Sequence, residues 1–259
     1  MTQLTRTTPR PPAPAAARSR TPLDAPSGPV RIFEPSMAAS LPEPARRWLL
    51  HAIRPGTALL TSVRLTMHGR IRLGHWCPFQ ADQLLNPSKG FEWAATARPL
   101  GLPVSGADRY HDGRGEMRWR LLGAVPVLSA VGPDITRSAA GRLAAEFVMA
   151  PATALSPQVT WEPIDHARAR ALVAIDGRTH PATLTVAADG ALESVALPRW
   201  GRPGKGPFAE HPFGVRVHGE ATFDGFTILS EASAGWWHGT EHWKDGEFIR
   251  FTVDRARYR

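Results

Sequence analysis

The chain has 259 residues, of which 42% are hydrophobic and 21% are charged, and its formal net charge is +8. These values are typical of a globular protein with a sizeable core. Cys77 is the single cysteine, which excludes an intrachain disulfide, and no segment approaches eighteen apolar residues, which excludes a transmembrane helix. The basic residues are scattered rather than concentrated on one element, so we expect no nucleic-acid partner.

Residues 1–29 differ in composition from the rest of the chain. They contain seven of the 25 prolines and four arginines against one aspartate, so they carry +3 of the total charge of +8. The segment lacks the apolar run of a signal peptide and cannot bury enough surface to order itself. We therefore predict a disordered tail at 1–29, a single half-barrel domain at 30–259, and a location in the bacterial cytoplasm.

The first half of the predicted domain combines two helices with several strands. Ser40 and Pro42 mark the start of the first helix, which ends before Pro55. Alternating apolar and polar residues predict strands at 61–73 and 91–97, and a hairpin around 111–115 with a return strand at 117–121. A second helix is predicted over 134–150, where apolar residues recur at helical spacing, and Pro151 ends it.

The last part of the chain, 165–259, has the pattern of a β-meander. Four Asp-Gly pairs, which begin at Asp176, Asp189, Asp224 and Asp245, separate segments of alternating hydrophobicity. The predicted strands are 159–163, 168–175, 181–187, 191–198, 213–223, 226–237 and 247–255. The fold class is therefore mainly β (α+β), a curled antiparallel sheet or half-barrel of about ten strands with one or two packed helices.

Several sequence segments resemble those of one family of uncharacterised proteins from actinobacteria and related bacteria. They are Leu41-Pro-Glu-Pro-Ala-Arg-Arg-Trp48, Gly101-Leu-Pro-Val-Ser-Gly-Ala-Asp-Arg-Tyr110, Ser138-Ala-Ala-Gly-Arg-Leu-Ala-Ala-Glu146, Leu197-Pro-Arg-Trp-Gly201, His211-Pro-Phe-Gly214, Gly235-Trp-Trp-His-Gly-Thr240 and Gly246-Glu-Phe248. The resemblance covers about residues 40–259. This family has no assigned activity, so the resemblance implies no catalytic residues.

The C-terminal half is also similar to the half-barrels of bacterial lipoprotein carriers and related lipid-binding proteins. The similarity lies in the hairpin at Asp189-Gly190, the strand pair around Asp224-Gly225, and the strand that begins Phe226-Thr-Ile228. It implies that the concave face of the sheet shelters acyl chains. This chain departs from those carriers because it has no recognisable export signal, whereas they act outside the cytoplasm.

Arg142 and Glu146 are the charged pair with the clearest possible role. They lie four residues apart on the second predicted helix, as a solvated ion pair would. Alternatively, the helix plugs the half-barrel and Arg142 recognises a carboxylate or phosphate head group, assisted by Arg137 and Ser138. Small neighbouring residues allow the helix to approach the sheet closely. We predict that Arg142 points towards the concave face and is partly buried.

The segment from Trp236 to His242 contains two further candidate features. Consecutive tryptophans on a strand face opposite sides, so Trp236 and Trp237 suit a sheet that is covered on both faces. His238-Gly-Thr-Glu241-His242 matches the H-x-x-E-H pattern of inverted zinc peptidases, which requires a helix. The context here is strand and turn, so we expect no metal and interpret the segment as a structural or ligand-contacting loop.

These observations favour non-catalytic binding of a hydrophobic or lipid-like small molecule in the concave face, without a cofactor. The candidate ligand-binding residues are Arg137, Ser138, Arg142, Glu146, Trp161, Trp200, His211, Trp236, Trp237, His238 and Glu241. One alternative is an enzyme, hydrolase-type or other, at the barrel mouth with Arg142, His211, His238 and Glu241 as its reactive groups. Another is a structural or scaffold protein whose N-terminal tail binds a partner. The sequence leaves the oligomeric state open.

Overall fold

Thirteen antiparallel strands form one open sheet in the computed structural model, which describes Leu23 and residues 31–259. The strands are β1 (Val63–Leu73), β2 (His75–Asn86), β3 (Gly90–Ala97), β4 (Val104–His111), β5 (Arg114–Leu121), β6 (Val125–Val131), β7 (Val159–Pro163), β8 (Arg168–Ile175), β9 (Arg178–Val186), β10 (Leu192–Gly201), β11 (Ala209–Phe223), β12 (Phe226–Trp236) and β13 (Glu247–Tyr258). The predicted mainly β class is confirmed, and β2 and β6 are strands that the sequence pattern did not predict.

Asp-Gly pairs form the tight turns at three of the hairpins. Asp112, Asp176 and Asp224 have φ between 46° and 53°, and the glycine that follows each is also in the left-handed region. Two successive residues with positive φ match the right-handed twist of the strands they connect. The hairpin predicted at Asp245-Gly246 is wrong, because that pair ends a short helix, α3 (Trp243–Gly246).

The order of strands in the sheet is β6-β5-β4-β3-β2-β1-β13-β12-β11-β10-β9-β8-β7. Two meanders, β1 to β6 and β7 to β13, are therefore joined where β1 pairs with β13. The register of this central pair runs from Val63 opposite Tyr258 to Ile71 opposite Ile249. β6 and β7 are the two edges of the sheet, and only the segment between them in sequence connects one edge to the other.

That connecting segment carries the helix that covers the concave face. α2 (Pro133–Ala145) is followed by two short 3₁₀ helices, Glu146–Met149 and Pro151–Leu155. The predicted single helix over 134–150 is thus corrected to an α-helix that ends at Ala145. α2 contacts β4, β5 and β6 of one meander and β8, β9 and β10 of the other, so it bridges the two sides of the curled sheet.

The other described helix of ten residues or more, α1 (Glu43–Ala52), helps to form the core. Trp48 of this helix packs against Phe147 and Trp161, with ring centroids 5.9 Å and 6.2 Å away. The Trp161 indole also donates a hydrogen bond to the Ala154 carbonyl at 3.2 Å. Trp161 therefore lies in a packed aromatic core, and its predicted contact with ligand stays a prediction.

Apart from Leu23, the predicted disordered tail lies outside the described residues. Leu23 itself is buried, and its carbonyl accepts a hydrogen bond from the Ser62 hydroxyl at 2.9 Å. Among the described residues, none of the helices combines the length and hydrophobicity needed to span a lipid bilayer.

Candidate functional site

Arg142 lies between two carboxylates on the sheet-facing side of α2. Its Nε donates a hydrogen bond to Glu146 Oε1 at 2.7 Å, and its Nη1 donates to Asp108 Oδ2 of β4 at 3.3 Å. The Arg142 side chain is 17% exposed. Its guanidinium carbon lies 4.5 Å from the ring centre of Phe91 and 5.2 Å from that of Trp93. Arg142 therefore points towards the concave face and is partly buried, as the sequence predicts.

The two carboxylates are held in place by further hydrogen bonds. Glu146 accepts one from the Gln83 amide at 2.5 Å, and Asp108 accepts one from the Trp119 indole at 2.9 Å. Burial raises the pKa of Asp108, although Arg142 and the Trp119 hydrogen bond act in the opposite direction. Both carboxylates thus have specific partners, and removing Arg142 would leave them without their cation.

Arg199 of β10 brings a second guanidinium to the same place. Its Nε donates to the Ser138 carbonyl at 3.1 Å, and its Nη2 lies 3.5 Å from the Ser138 hydroxyl. The guanidinium carbon lies 4.6 Å from the ring centre of Phe213 and 5.2 Å from that of Trp236. Gly141 makes this approach possible, because a Cβ there would lie only 3.1 Å from Arg199 Cγ.

Arg199 differs from Arg142 in having no carboxylate partner. Burial lowers the pKa of Arg199 to about 10, so the guanidinium is still charged at neutral pH. Within the described residues, Arg199 forms no ion pair, although Glu146 and Asp108 lie close enough to oppose the lowering of its pKa. A desolvated guanidinium of this kind is suited to bind an anion. We call Asp108, Arg142, Glu146 and Arg199 the charge cluster.

The concave face beside the charge cluster is lined by apolar side chains that are only half buried. We call them the concave trough: Ile71, Trp119, Trp236, Phe248, Ile249 and Phe251. They come from β1, β5, β12 and β13, and the register places Ile71 beside Ile249 on one face. Trp119 and Phe213 connect this surface to the aromatic rings under the two guanidiniums. The trough and the charge cluster thus form one continuous surface, apolar at one part and charged at another.

Four of the predicted ligand-binding residues, Arg137, Ser138, Arg142 and Glu146, lie on α2 or immediately after it. Ser138 holds Arg199, whereas Arg137 lies nearer the helix start, where it covers the Trp200 ring at 3.8 Å and pairs with Glu210 at 2.6 Å. The Trp200 indole donates to Asp134 at 2.9 Å. Arg137 and Trp200 therefore anchor the first turn of α2 to the sheet, beside the charge cluster and not within it.

His211, Trp236 and Trp237 form a second small group. The His211 ring makes edge contacts with Trp236 and Trp237, at centroid distances of 6.2 Å and 6.5 Å. β12 ends at Trp236, because Trp237 has a φ of 57° and leaves the strand. The alternation predicted for these two tryptophans thus stops at Trp236, which faces the trough with Phe213.

His238 lies on the opposite face of the sheet. His238 packs over Gly214, since a Cβ on that glycine would lie 2.3 Å from the imidazole ring. Gly214 follows Phe213 in β11, so such a Cβ would point to the face opposite to the Phe213 ring. Trp243 contacts the His238 ring edge-on at 5.3 Å. The Glu241 side chain is 89% exposed. His211 and His238 line one cavity, but Arg142 pairs with Asp108 and Glu146 beside α2 and Glu241 is exposed, so the four residues of the alternative enzyme site do not converge on one place.

The H-x-x-E-H motif also separates in space. His238 is half-buried against Trp243, whereas His242 is exposed and lies near Glu241 and Asp245. Across the residues that the structure describes, no group of three or more His, Cys, Asp or Glu side chains is placed to hold a metal ion.

Two cavities lie away from the concave trough. One of about 340 Å³ is lined by residues of β10 and β11, among them Pro198, His211 and Pro212, and by His238. The other, of about 500 Å³, is lined by Tyr110 and Asp176, whose hydrogen bond joins the β4–β5 turn to the β8–β9 turn. Neither of these two cavities is lined by a residue of the charge cluster.

The environment of His238 predicts a loss of stability in mild acid. Burial, assisted by the nearby Arg216, lowers the pKa of His238 below its ordinary value of 6.5. The unfolded chain takes up a proton near pH 6.5 while the folded chain does not, so stability is full above that pH and declines as the pH falls towards the folded-state pKa. His238→Phe keeps an aromatic ring against Trp243 and should reduce this decline.

The measurement is the urea midpoint on either side of pH 6.5 for wild type, His238→Phe and the control His242→Phe. His242 is exposed in the same loop, so its replacement should leave the pH dependence as in wild type. An identical acid response in wild type and His238→Phe would show that burial of His238 contributes nothing.

Comparison with solved structures returns matches at low sequence identity. A LolA superfamily protein from Nitrosomonas europaea is 9% identical, over 83% of this chain and 92% of that chain, with a TM-score of 0.45. A domain from Vibrio parahaemolyticus assigned to outer membrane lipoprotein sorting is 7% identical, over 76% and 85%, with a TM-score of 0.42. A DUF1329 family protein from Desulfovibrio piger is 10% identical, over 77% and 86%, with a TM-score of 0.36.

These likenesses concern the fold alone. A search of curated proteins returns no match. The family profile that matches residues 31–251 is described as a family of unknown function (DUF6544), in agreement with the predicted resemblance to a family without an assigned activity. Because this match spans nearly all of the described residues, the chain belongs to the DUF6544 family.

Proposed function

We propose that the protein binds an amphipathic small molecule, with its apolar chain in the concave trough and its anionic head group at Arg199. The observation that carries this proposal is the half-buried state of the six trough residues beside a guanidinium that forms no ion pair within the described residues. Apolar surfaces left open next to a few polar anchors are typical of small-molecule sites. A fatty acid is the simplest ligand with this chemistry.

Arg142 and Arg199 have different partners, and this difference supports a head group at Arg199. Arg142 is neutralised by Asp108 and Glu146, so it stabilises the charge cluster and contributes little net attraction for an anion. Arg199 is held by the neutral Ser138 and by two aromatic rings, with Glu146 and Asp108 beyond ion-pair distance, so its guanidinium can pair with an added anion. The head group would therefore lie between β10 and α2, and the chain would extend towards Trp119 and Phe251.

The ligand can be sought directly and then tested by titration. Native mass spectrometry of purified protein should detect a co-purified acyl compound, and delipidated protein should show a saturable change of tryptophan fluorescence with a long-chain fatty acid. Trp119→Phe should reduce that change, because Trp119 lies in the trough. Trp161→Phe should preserve it, because Trp161 packs against Trp48 in the core.

Protein without any co-purified compound and without a saturable response to the fatty acid or to the corresponding alcohol would contradict the proposal. The cytoplasmic location and the absence of a nucleic-acid partner stay predictions from the sequence. Cell fractionation addresses the first of them.

A further inference from the structure

A set of exposed apolar residues lies at one end of the first meander. Leu100 and Leu102 are in the β3–β4 loop, Leu122 is in the β5–β6 loop, and Val125 begins β6. Their exposed fractions run from 50% to 87%. The two loops touch, since the Leu122 amide donates to the Pro103 carbonyl at 2.9 Å. We call these four residues the leucine rim.

The backbone at two of these leucines is unusual. Leu100 has a φ of 50° and Leu122 a φ of 53°, and a glycine with positive φ follows each of them. Residues other than Gly, Asn and Asp rarely adopt this conformation, because it is strained when a Cβ is present. At the opposite end of the same strands, the equivalent turn position is occupied by Asp112, the residue that the conformation favours.

The fold therefore gains nothing from a leucine at either position. Each leucine adopts a disfavoured backbone conformation, and neither buries its side chain. Strained residues of this kind concentrate at functional sites, where another interaction compensates for the strain. An apolar partner outside the chain would supply that interaction.

The charge around the leucine rim indicates what kind of partner this is. The two loops that carry the leucine rim and the residues that flank them, 97–105 and 118–127, contain no Asp or Glu, but they contain three arginines at positions 98, 118 and 120, of which Arg118 pairs with Glu116. Arg98 and Arg120 are exposed, and within the described part of the chain neither forms an ion pair. A surface of this composition attracts an anionic partner.

We propose that the leucine rim docks on the surface of an anionic lipid bilayer, with the leucines in the acyl boundary and Arg98 and Arg120 at the head groups. Interfacial binding of this kind combines buried apolar area with attraction to anionic lipids. A second copy of the chain fits less well, because a twofold interface would place each acid-free, arginine-bearing surface against its own copy. The proposal uses residues outside the trough, so it is independent of the proposed ligand.

The experiment is flotation of the full-length protein with vesicles of phosphatidylcholine, with and without added phosphatidylglycerol. We expect the protein to float with the anionic vesicles at low salt and to be released by high salt. Leu100→Asn/Leu122→Asn should lower the partition coefficient more than tenfold, since the variant loses the apolar area that both leucines would bury in the bilayer. Arg98→Gln/Arg120→Gln should lower it roughly tenfold or more on the anionic vesicles.

Matched controls exist for both variants. The aliphatic control is Ile164, which lies beyond the end of β7 and is 36% exposed. The arginine control is Arg114, which is exposed at the other end of β5. Ile164→Asn and Arg114→Gln should float like wild type. Because asparagine tolerates the left-handed conformation, the double leucine variant should melt at the same temperature as wild type or higher, which excludes misfolding as the cause.

Three results would overturn the proposal. The first is no flotation with anionic vesicles at low salt, and the second is equal flotation of wild type and the double leucine variant. The third is a dimer in analytical ultracentrifugation that this variant dissociates, because the leucine rim would then bind a second copy.

Discussion

Arg142→Ala is expected to lower the free energy of unfolding by about 3 kcal/mol. The alanine variant leaves Asp108 and Glu146 without their shared cation, and these side chains are only 16% and 22% exposed. Uncompensated carboxylates in such a position carry a large desolvation penalty. The variant also loses the contact of the guanidinium with Phe91. Urea denaturation followed by circular dichroism measures the effect.

Two comparisons show whether the buried charges cause the loss of stability in Arg142→Ala. Arg170→Ala removes an exposed ion pair with Glu162, so it should lower stability by less than about 1 kcal/mol. Adding Asp108→Asn and Glu146→Gln to Arg142→Ala neutralises the stranded carboxylates and should recover part of the loss. If Arg142→Ala is as mild as Arg170→Ala, the charge cluster does not stabilise the fold.

Arg199→Met is expected to weaken fatty-acid binding by about ten- to a hundredfold, since hydrogen bonds to charged groups contribute roughly 1.5–3 kcal/mol. Affinity for the corresponding fatty alcohol should change little, because the alcohol has no charge to lose. Methionine preserves much of the apolar contact with Phe213 and Trp236. Stability should be equal or higher, because burial and repulsion by Arg142 outweigh the attraction of Glu146 and Asp108 for the Arg199 charge.

The control is Arg216→Met on the convex face. Arg216 also covers an aromatic ring, with its guanidinium carbon 4.4 Å from the ring centre of Trp243, but β11 turns it away from the trough. Isothermal titration of both variants with acid and alcohol separates the head group from the chain. Equal losses for acid and alcohol in Arg199→Met would mean that Arg199 shapes the trough without binding the anion.

The alternation of apolar and polar residues predicted most of the strands. Each strand or turn that it missed can be explained by particular residues. β2 contains Pro78, which argues against a strand, and it places the polar Gln83 on the same face as Phe79. β6 lies at the edge and is exposed along nearly its whole length, so burial imposes no alternation on its sequence. Asp245-Gly246 has the composition of a tight turn, but it ends a helical turn whose position depends on Trp243 packing against His238.

The charge cluster was predictable only in part. The spacing of Arg142 and Glu146 and the small residues around them predict an inward-facing guanidinium. Asp108 and Gln83 could not be assigned as partners, because they are distant in sequence and only the curl of the sheet brings them to α2. Arg199 did leave a signal, since it continues the alternation of the buried Val195 and Leu197 and so places a cation on an apolar face.

β13 lies in the middle of the sheet although it is the last strand in chain order. Val63 pairs with Tyr258, so the central pairing joins residues separated by most of the sequence. Pairings between such distant segments form slowly. During synthesis, β1 and β12 each have an unpaired edge until β13 leaves the ribosome, and unpaired edges invite association with other chains. The nascent chain is therefore most in need of chaperones just before its final strand emerges.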